Sequence, residues 1–374
     1  MDAKKFIYEY INKLIQIQEP LLNFLENDDI QNFETKYLDD LKIKENKHKM
    51  RILLYLISKI SQNHHRNPNF IDKVEKILLT YKKEIKIFFS NLEIFLIFKK
   101  NKRILYFLYK EQIIIPNKTI LTNTKNSYSF YAYFYPEFKK FYNEKSKQQI
   151  ASEYSEIFNL KEFEEKRMIG ENDHYVCELI RNDSIDDFIS FVNRTNLSLS
   201  SNVEPSVYET NSLLIKKETS LIEYSAFYGS IQIFRFLLLN NVKIKTDTWL
   251  FAIHGKNPEI IHILEENQIK PPSNNNYVRC YIESNKCYHN DIMKYFQLQY
   301  IEVSDNYNFY LSIKDDICFR TFNFYDFFDN DYKTNESTAF YFACKYDHFL
   351  IVDYFLNNAR IEFNSTTIFK NEFL

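Results

Sequence analysis

Glycine is nearly missing from this 374-residue chain: Gly170, Gly229 and Gly255 are the only three. Loops that cradle phosphate need several glycines close together, because the backbone must adopt positive φ and approach the anion. Neither GxGxxG nor GxxxxGK(S/T) can be assembled, and no GxSxG elbow occurs, so the commonest nucleotide-binding and hydrolase frameworks drop out. Other kinds of active site are untouched by that count. Long apolar runs are also lacking. The greasiest stretch, residues 85–115, is interrupted by Lys86, Glu93, Lys99, Lys100, Lys102, Arg103, Lys110 and Glu111, so no membrane span is expected. The opening Met1-Asp2-Ala3-Lys4-Lys5 carries charge too early for a signal peptide. Five scattered cysteines, Cys177, Cys280, Cys287, Cys318 and Cys344, read as reduced thiols of a cytoplasmic protein rather than a disulfide framework. Net charge is −2, which exerts no global pull toward nucleic acid or an anionic membrane. Two short basic patches stand out locally, Lys42, Lys44, Lys47, Lys49 and Arg51, and Lys99 to Arg103, and both read as solvated turns or helix faces.

What the chain does have is apolar spacing. Hydrophobic residues make up 45% of it and charged residues 26%, enough to bury a large interior. Six windows place bulky apolar or aromatic residues at i, i+3 and i+4 after a polar turn. They are Ile104/Phe107/Leu108, Phe188/Phe191/Val192, Ile233/Phe236/Leu237, Ile260/Ile263/Leu264, Ile292/Tyr295/Phe296 and Ile351/Tyr354/Phe355. That spacing puts three side chains on one helical face. In most windows a shorter apolar segment lies about eight residues upstream, so the chain reads as helix pairs that bury their faces by stacking on neighbours.

Along the chain, residues 1 to about 80 read as amphipathic helices without a clear repeat, with Pro20 restarting the first of them. A first hairpin is expected near residues 92–108. Residues 116–134 read as irregular, and a long charged helix is expected over roughly 136–168, solvent-exposed or bridging. The domain boundary is placed there, giving an N-terminal helical region at 1–150 and a repeat domain at 151–374. The clearest units are Ser220 to Asn241 and Asp247 to Asn267, with a Ser/Asn-rich insertion at Asn196 to Asn202 ahead of them.

The first of these units resembles an ankyrin repeat. Ser225-Ala226 sits where ankyrin inner helices cross closely, Gly229 lies in the turn, and Ile233 to Leu238 follow the outer-helix pattern. In the next unit Ala252 takes the small position, Asn257 reads as an N-cap, Pro258 as a first-turn proline and Glu259 as a dipole-complementing acid. Ser225, Ala252, Ser284 and Ala343, taken as equivalent, are spaced by 27, 32 and 59 residues, against about 33 for a standard unit. The last gap is expected to hide one degenerate unit near Phe309 to Phe328. Strings at Ile169 to Asp173, Phe251 to His262 and Glu283 to Ile292 are similar to a divergent ankyrin-repeat family of protists that carries an ankyrin-associated domain of unknown function. The likeness covers about residues 90–360. The Thr-Pro-Leu-His tetrapeptide is nowhere intact, and Trp249 fills one of its leucine positions. The resemblance implies an all-α, ankyrin-like helix-turn-helix solenoid and brings no catalytic residues.

Side chains that could carry chemistry are few and poorly spaced. Cys280, Cys287 and His289 form a lone C-x6-C-x-H that lacks a fourth zinc ligand, so they read as core residues. His254 and His262 read as solvated, and His64-His65 as an exposed turn. Adjacent carboxylates such as Asp28-Asp29, Asp186-Asp187, Glu265-Glu266 and Asp315-Asp316 point apart on a helix, unlike a working acid–base pair. No catalytic, cofactor-binding or metal residue is assigned, and no cofactor is expected. Among 29 Tyr and 35 Phe, two clusters fall off the helical pattern: Tyr128, Phe130, Tyr131, Tyr133, Phe134 and Tyr135, and Phe322, Phe324, Tyr325, Phe327 and Phe328. They read either as the floor of long loops or as anchors for a partner.

The expected function is a non-enzymatic protein–protein interaction scaffold, with the concave face of inner helices and fingers as its surface. Two alternatives stay open: nucleic-acid association through the basic patches, and an enzyme site between the two helical blocks. Another protein is the expected partner and nucleic acid is not. The C-terminal end, without a polar capping repeat, is expected either to fold its aromatic residues back as a cap or to permit self-association.

Overall fold

The computed structural model describes residues 3–26, 41–63, 68–124, 128–145, 147–150, 152, 162–216, 218–273, 276–301, 307–325, 327 and 336–358. Among these the chain is all-helical, and the one β feature is an isolated bridge between Asn202 and Ser220. No described helix is long and apolar enough to cross a membrane. All six apolar windows lie on helices: Lys102–Lys110, Ile185–Thr195, Ile231–Leu239, Pro258–Glu266, Asn290–Phe296 and Phe349–Asn358. In five of them the residues at i and i+4 are buried; Phe107 apart, the i+3 residue sits at the edge of the stripe.

Two compact units make up the chain: Ile60–Asn275 forms one, and Met1–Lys59 together with Asn276–Leu374 forms the other. The boundary placed at about residue 150 lies inside the first unit.

In the unit Ile60–Asn275, three helix hairpins follow one another: Tyr175–Arg181 with Ile185–Thr195, Leu221–Tyr228 with Ile231–Leu239, and Thr248–Gly255 with Pro258–Glu266. The first helix of each packs on the first helix of the next, and the second helices do likewise. Each of these helices is followed by a left-handed residue, and in all but Thr248–Gly255 the next N–H reaches back five residues to an otherwise orphaned carbonyl. Ser184 donates to Leu179 (3.0 Å), Ser230 to Ser225 (2.9 Å), Leu197 to Val192 (3.3 Å), Val242 to Leu237 (3.1 Å) and Ile269 to Leu264 (3.0 Å). The left-handed residues are Asp183, Gly229 and Lys256 inside the hairpins and Asn196, Asn241 and Gln268 after them.

The turns also bond to one another. Both Asp183 carboxylate oxygens accept from the first turn of the next outer helix, from Gln232 and Ile233 N–H at 3.0 Å each. Ser230 Oγ donates to Ile180 O, and Asn257 Nδ2 donates to Gly229 O at 2.9 Å. Asn257 is also the expected cap, its Oδ1 accepting from Glu259 N–H at 2.9 Å. The inner helices meet most closely at Gly255. A Cβ there would lie 2.1 Å from the Ala226 carbonyl oxygen, so only glycine allows this crossing. Ser225 and Ala252 are wholly buried beside it. Trp249, the single tryptophan, is buried in the same helix and donates to Ile269 O at 3.0 Å.

In the other unit, Val278–Lys286 packs on Asn290–Phe296 and on Tyr307–Thr321, which packs on Glu336–Tyr346 and then Phe349–Asn358. Where the 59-residue gap is expected to hide a degenerate pair, the described residues contain one 15-residue helix. The N-terminal helix Ala3–Glu26 lies on the last hairpin, with the Phe6 and Tyr354 rings stacked 4.0 Å apart. The N-terminal helix therefore packs over that hairpin; the tail aromatics expected as a cap lie beyond residue 358, outside the described residues.

His348 ties this arrangement together. It is wholly buried; its Nε2 must donate to Phe319 O (2.7 Å), so Nδ1 accepts from Tyr10 OH (3.0 Å). Phe322 stacks on its ring at 4.0 Å. Burial pulls its pKa down to about 3, the Phe319 carbonyl opposes this, and Lys59 adds to it. A second buried network joins Gln18, Asn323, Asn285 and Thr321: Gln18 Nε2 donates to Asn323 Oδ1 (2.9 Å), Asn323 Nδ2 to Asn285 O (3.1 Å) and Thr321 Oγ1 to Asn285 Oδ1 (2.6 Å).

Three local expectations are corrected. The first helix runs through Pro20, because Ile17, Leu21, Leu22 and Leu25 keep one buried face across it. Residues 116–134 are not irregular throughout: Asn117 caps Lys118–Thr122 by accepting from Ile120 N–H, and Tyr128–Tyr133 is helical. The helix expected over 136–168 is interrupted, since Tyr142 is extended after a short 3-10 turn at Lys139–Phe141. Its last part, Glu162–Ile169, keeps Glu162, Glu164, Glu165 and Ile169 exposed while Phe163 and Arg167 turn inward.

Gly255→Ala is expected to destabilise the Ile60–Asn275 unit by more than about 2 kcal/mol, as overpacking against backbone cannot relax through a rotamer. Gln268→Gly, at an exposed left-handed position, is expected to stabilise it by about 0.5 kcal/mol. Trp249 fluorescence in urea reads both. For His348 the folded pKa lies below the unfolded one, so its stabilisation is complete above about pH 6.5 and drains as pH falls toward 3. Hydrogen exchange of the Ala3–Glu26 and Phe349–Asn358 helices is expected to show a loss of about 2 kcal/mol by pH 5. His348→Gln should flatten that dependence.

Candidate functional site

A pocket of about 360 Å³ lies within the Ile60–Asn275 unit. Four stretches supply its wall: the end of Lys47–Asn63 with Ser61 and Gln62, Ile71 and Asp72 of Pro68–Thr80, Asn101 and Arg103 at the start of Lys102–Lys110, and residues 168–228. Asn101 is the N-cap of its helix. Its Oδ1 accepts from Ile104 N–H at 3.1 Å while its Nδ2 donates to Ser61 Oγ at 2.8 Å, so capping and pocket share one side chain. Ser61, Asn101, Arg103 and Thr210 are buried and form the floor; Asp72, Ile169 and Asn182 are exposed at the rim.

Two arginines set the electrostatics, and each is already matched. Arg103 pairs with Glu75 at 2.6 Å, both side chains largely buried. Burial pushes the Glu75 carboxyl up, and the Arg103 guanidinium pulls against it. Arg181 pairs with Glu171 at 3.0 Å and donates to Asn172 O (2.6 Å) and Tyr224 OH (3.1 Å). Gly170, at φ 71, lies against the Arg103 stem, where a Cβ would come within 3.0 Å; Thr210 Oγ1 donates to Gly170 O at 2.7 Å. Behind the pocket, Arg167 is fully buried, donates to both Glu137 carboxylate oxygens (2.8 and 3.0 Å) and faces the Tyr106 and Phe163 rings at 4.1 and 4.4 Å. The lining offers Arg, Asp, Glu, amide and hydroxyl groups, a set suited to hydrogen bonding and ion pairing with a small ligand.

The side chains singled out in the sequence are dispersed. Cys280, Cys287 and His289 are wholly buried, and among the described residues their ligand atoms do not converge. Burial holds the Cys287 thiol well above its ordinary range and lifts Cys177 to about 12, so neither is a ready thiolate. His254 is not solvated: it is buried and stacks on Phe227 at 4.9 Å. His262 is exposed and pairs with Glu266 at 3.1 Å; His64, His65, Asp28 and Asp29 lie outside the described residues.

The aromatic clusters pack as floors. Phe130, Tyr133 and Phe134 are buried in one unit, and Phe322, Phe324 and Phe327 in the other, while Tyr325 stays exposed. The patch at 99–103 keeps Lys99 and Lys100 outside but turns Arg103 inward, and Lys102 is half-buried, its pKa pulled down to about 8 by burial while the Glu209 carboxylate opposes the shift. In the other patch Lys42, Lys44 and Lys47 are exposed, whereas Lys49 donates to Leu41 O and Arg51 lies over Phe349.

Arg103 and Arg181 were missed as pocket residues. Their signal was present: a basic residue in an otherwise apolar helix, Ile104 to Tyr109, and another closing Tyr175–Arg181. No family model, curated protein or solved structure matches this chain.

Removing one partner of the buried pair should be costly and removing both should not. Glu75→Leu is expected to cost about 3 kcal/mol or more, and Glu75→Leu with Arg103→Met to return within about 1 kcal/mol of the parent, read by urea unfolding of Trp249.

Proposed function

We propose that the chain is a divergent ankyrin-like repeat protein of the cytoplasm that binds another protein as a non-enzymatic scaffold. One observation carries this reading: three hairpins in chain order share the same left-handed closure, pack inner helix on inner helix and outer on outer, and bond turn to turn. Twelve or thirteen residues separate the two left-handed residues of each hairpin, Asp183 to Asn196, Gly229 to Asn241 and Lys256 to Gln268, while the connections between hairpins vary. A constant unit with variable links is how repeat proteins present recognition surfaces. None of the five cysteines is paired in a disulfide, which agrees with the proposed compartment.

The surface differs from the concave face first expected. Leu221 to Phe227 and Thr248 to Gly255 are buried on every side, so those two inner helices offer a partner nothing. The outer helices expose Gln232, Arg235, Glu259 and His262, with an ion pair between Arg235 and Glu259 (3.0 Å) joining neighbours. Leu239, 82% exposed, is the largest apolar departure on that face.

Crosslinking the full chain in native extracts, followed by identification of captured proteins, tests the reading. Leu239→Asp with Arg235→Glu is expected to reduce capture of a specific partner about tenfold, a loss of ~1.4 kcal/mol, with Trp249 fluorescence unchanged. No specific partner, or capture indifferent to the double variant, would contradict it.

A further inference from the structure

We propose that the pocket floored by Arg103 binds a small zwitterion, a free aliphatic α-amino acid or a short peptide with both termini free. This goes beyond the scaffold reading and does not depend on it.

The argument is one of charge balance. Two guanidinium groups, Arg103 and Arg181, and two carboxylates, Asp72 and Glu171, line the cavity, with Glu75 directly behind Arg103. A polyanion such as a nucleotide would bring its charge against three carboxylates. Both arginines are paired, yet Arg103 Nε is buried without a hydrogen-bond acceptor among the described residues; a simple cation would leave it so, and a purely apolar ligand would desolvate both guanidinium groups without compensation. A ligand carrying one charge of each sign meets a lining of the same composition.

Depth separates the two ends. The donor lies deep: Arg103 is 8% exposed, and its Nε has no hydrogen-bond partner among the described residues. The acid of the rim, Asp72, is exposed, and among the described residues it has no ion-pair partner. A carboxylate therefore enters first and an ammonium stays at the mouth beside Asp72. Ile71, Met168 and Ile169 also line the cavity, and Ile169 is 59% exposed, an apolar surface that an aliphatic side chain would cover. The volume, about 360 Å³, is at the small end of ligand pockets.

Isothermal titration calorimetry on the full chain tests this with leucine, methionine and Leu-Leu, their N-acetyl and methyl-ester derivatives, and inorganic phosphate and 1,5-diaminopentane as single-sign probes. At least one zwitterion is expected to bind saturably below about 1 mM. Blocking either charged end should weaken it about tenfold, as expected for one lost charge-assisted contact. Leucine binding in preference to Leu-Leu identifies a free amino acid, and the reverse identifies a peptide; either supports the proposal. Asp72→Asn, at an exposed position outside every described ion pair, is expected to weaken binding about fivefold or more without shifting the Trp249 unfolding curve. Ile169→Ser should weaken it further and independently. The proposal is overturned if no zwitterion saturates by about 10 mM, if blocked derivatives bind as well as the parent, or if phosphate or the diamine binds more tightly.

Discussion

A helix of seven or eight residues cannot hold its own shape in water. Its first N–H and last C=O groups have no partner within it, and these account for most of its backbone. Tyr175–Arg181, Leu221–Tyr228 and Thr248–Gly255 are all of this length. Each therefore depends on a turn that closes its end and on neighbours that cover its sides. The chain meets the first need with the left-handed closure and the second by stacking. With only three glycines available, Asp183, Lys256, Tyr288 and Asp347 take left-handed positions that glycine usually fills, a local cost that the surrounding bonds offset.

Stacking brings its own demand for small residues. Ser225, Ala252, Ser284 and Ala343 are wholly buried in first helices of their hairpins, and Gly255 lets one inner helix touch the backbone of the next. Inner helices sealed in this way lose any polar face, which is why Thr248–Gly255 shows no apolar stripe: all of it is inside. Polar character moves to the outer helices and to the pocket. There buried charge is tolerated because every guanidinium has a carboxylate beside it, Arg103 with Glu75, Arg181 with Glu171 and Arg167 with Glu137.

The outer helices were the most legible part of the sequence. Ile233, Leu237, Ile260 and Leu264 mark buried faces by spacing alone, and the four small positions pointed to close helix crossings. Asn257 read as a cap and is one. What spacing could not show was burial of polar residues. Arg103, His254 and His348 carry charge or its potential, and only tertiary partners decide that they face inward. Nor could it show that Ala3–Glu26 covers Phe349–Asn358, since no local pattern links chain positions more than 300 residues apart. The aromatic clusters near 130 and 322 left two readings open because ring content does not reveal which side is wet; for their buried members, packing answers it. The pocket was invisible for the same reason: its lining comes from four separated stretches.

The central claim is that the three hairpins of residues 175–266 hold together as one stacked row. Native-state hydrogen exchange of the turn-closing amides of Ser184, Ser230, Val242 and Ile269 measures it most directly. A shared row predicts opening free energies for the four that agree within about 1 kcal/mol and fall together when the inner crossing is disturbed. Amides that open at unrelated free energies, each hairpin indifferent to its neighbours, would contradict it.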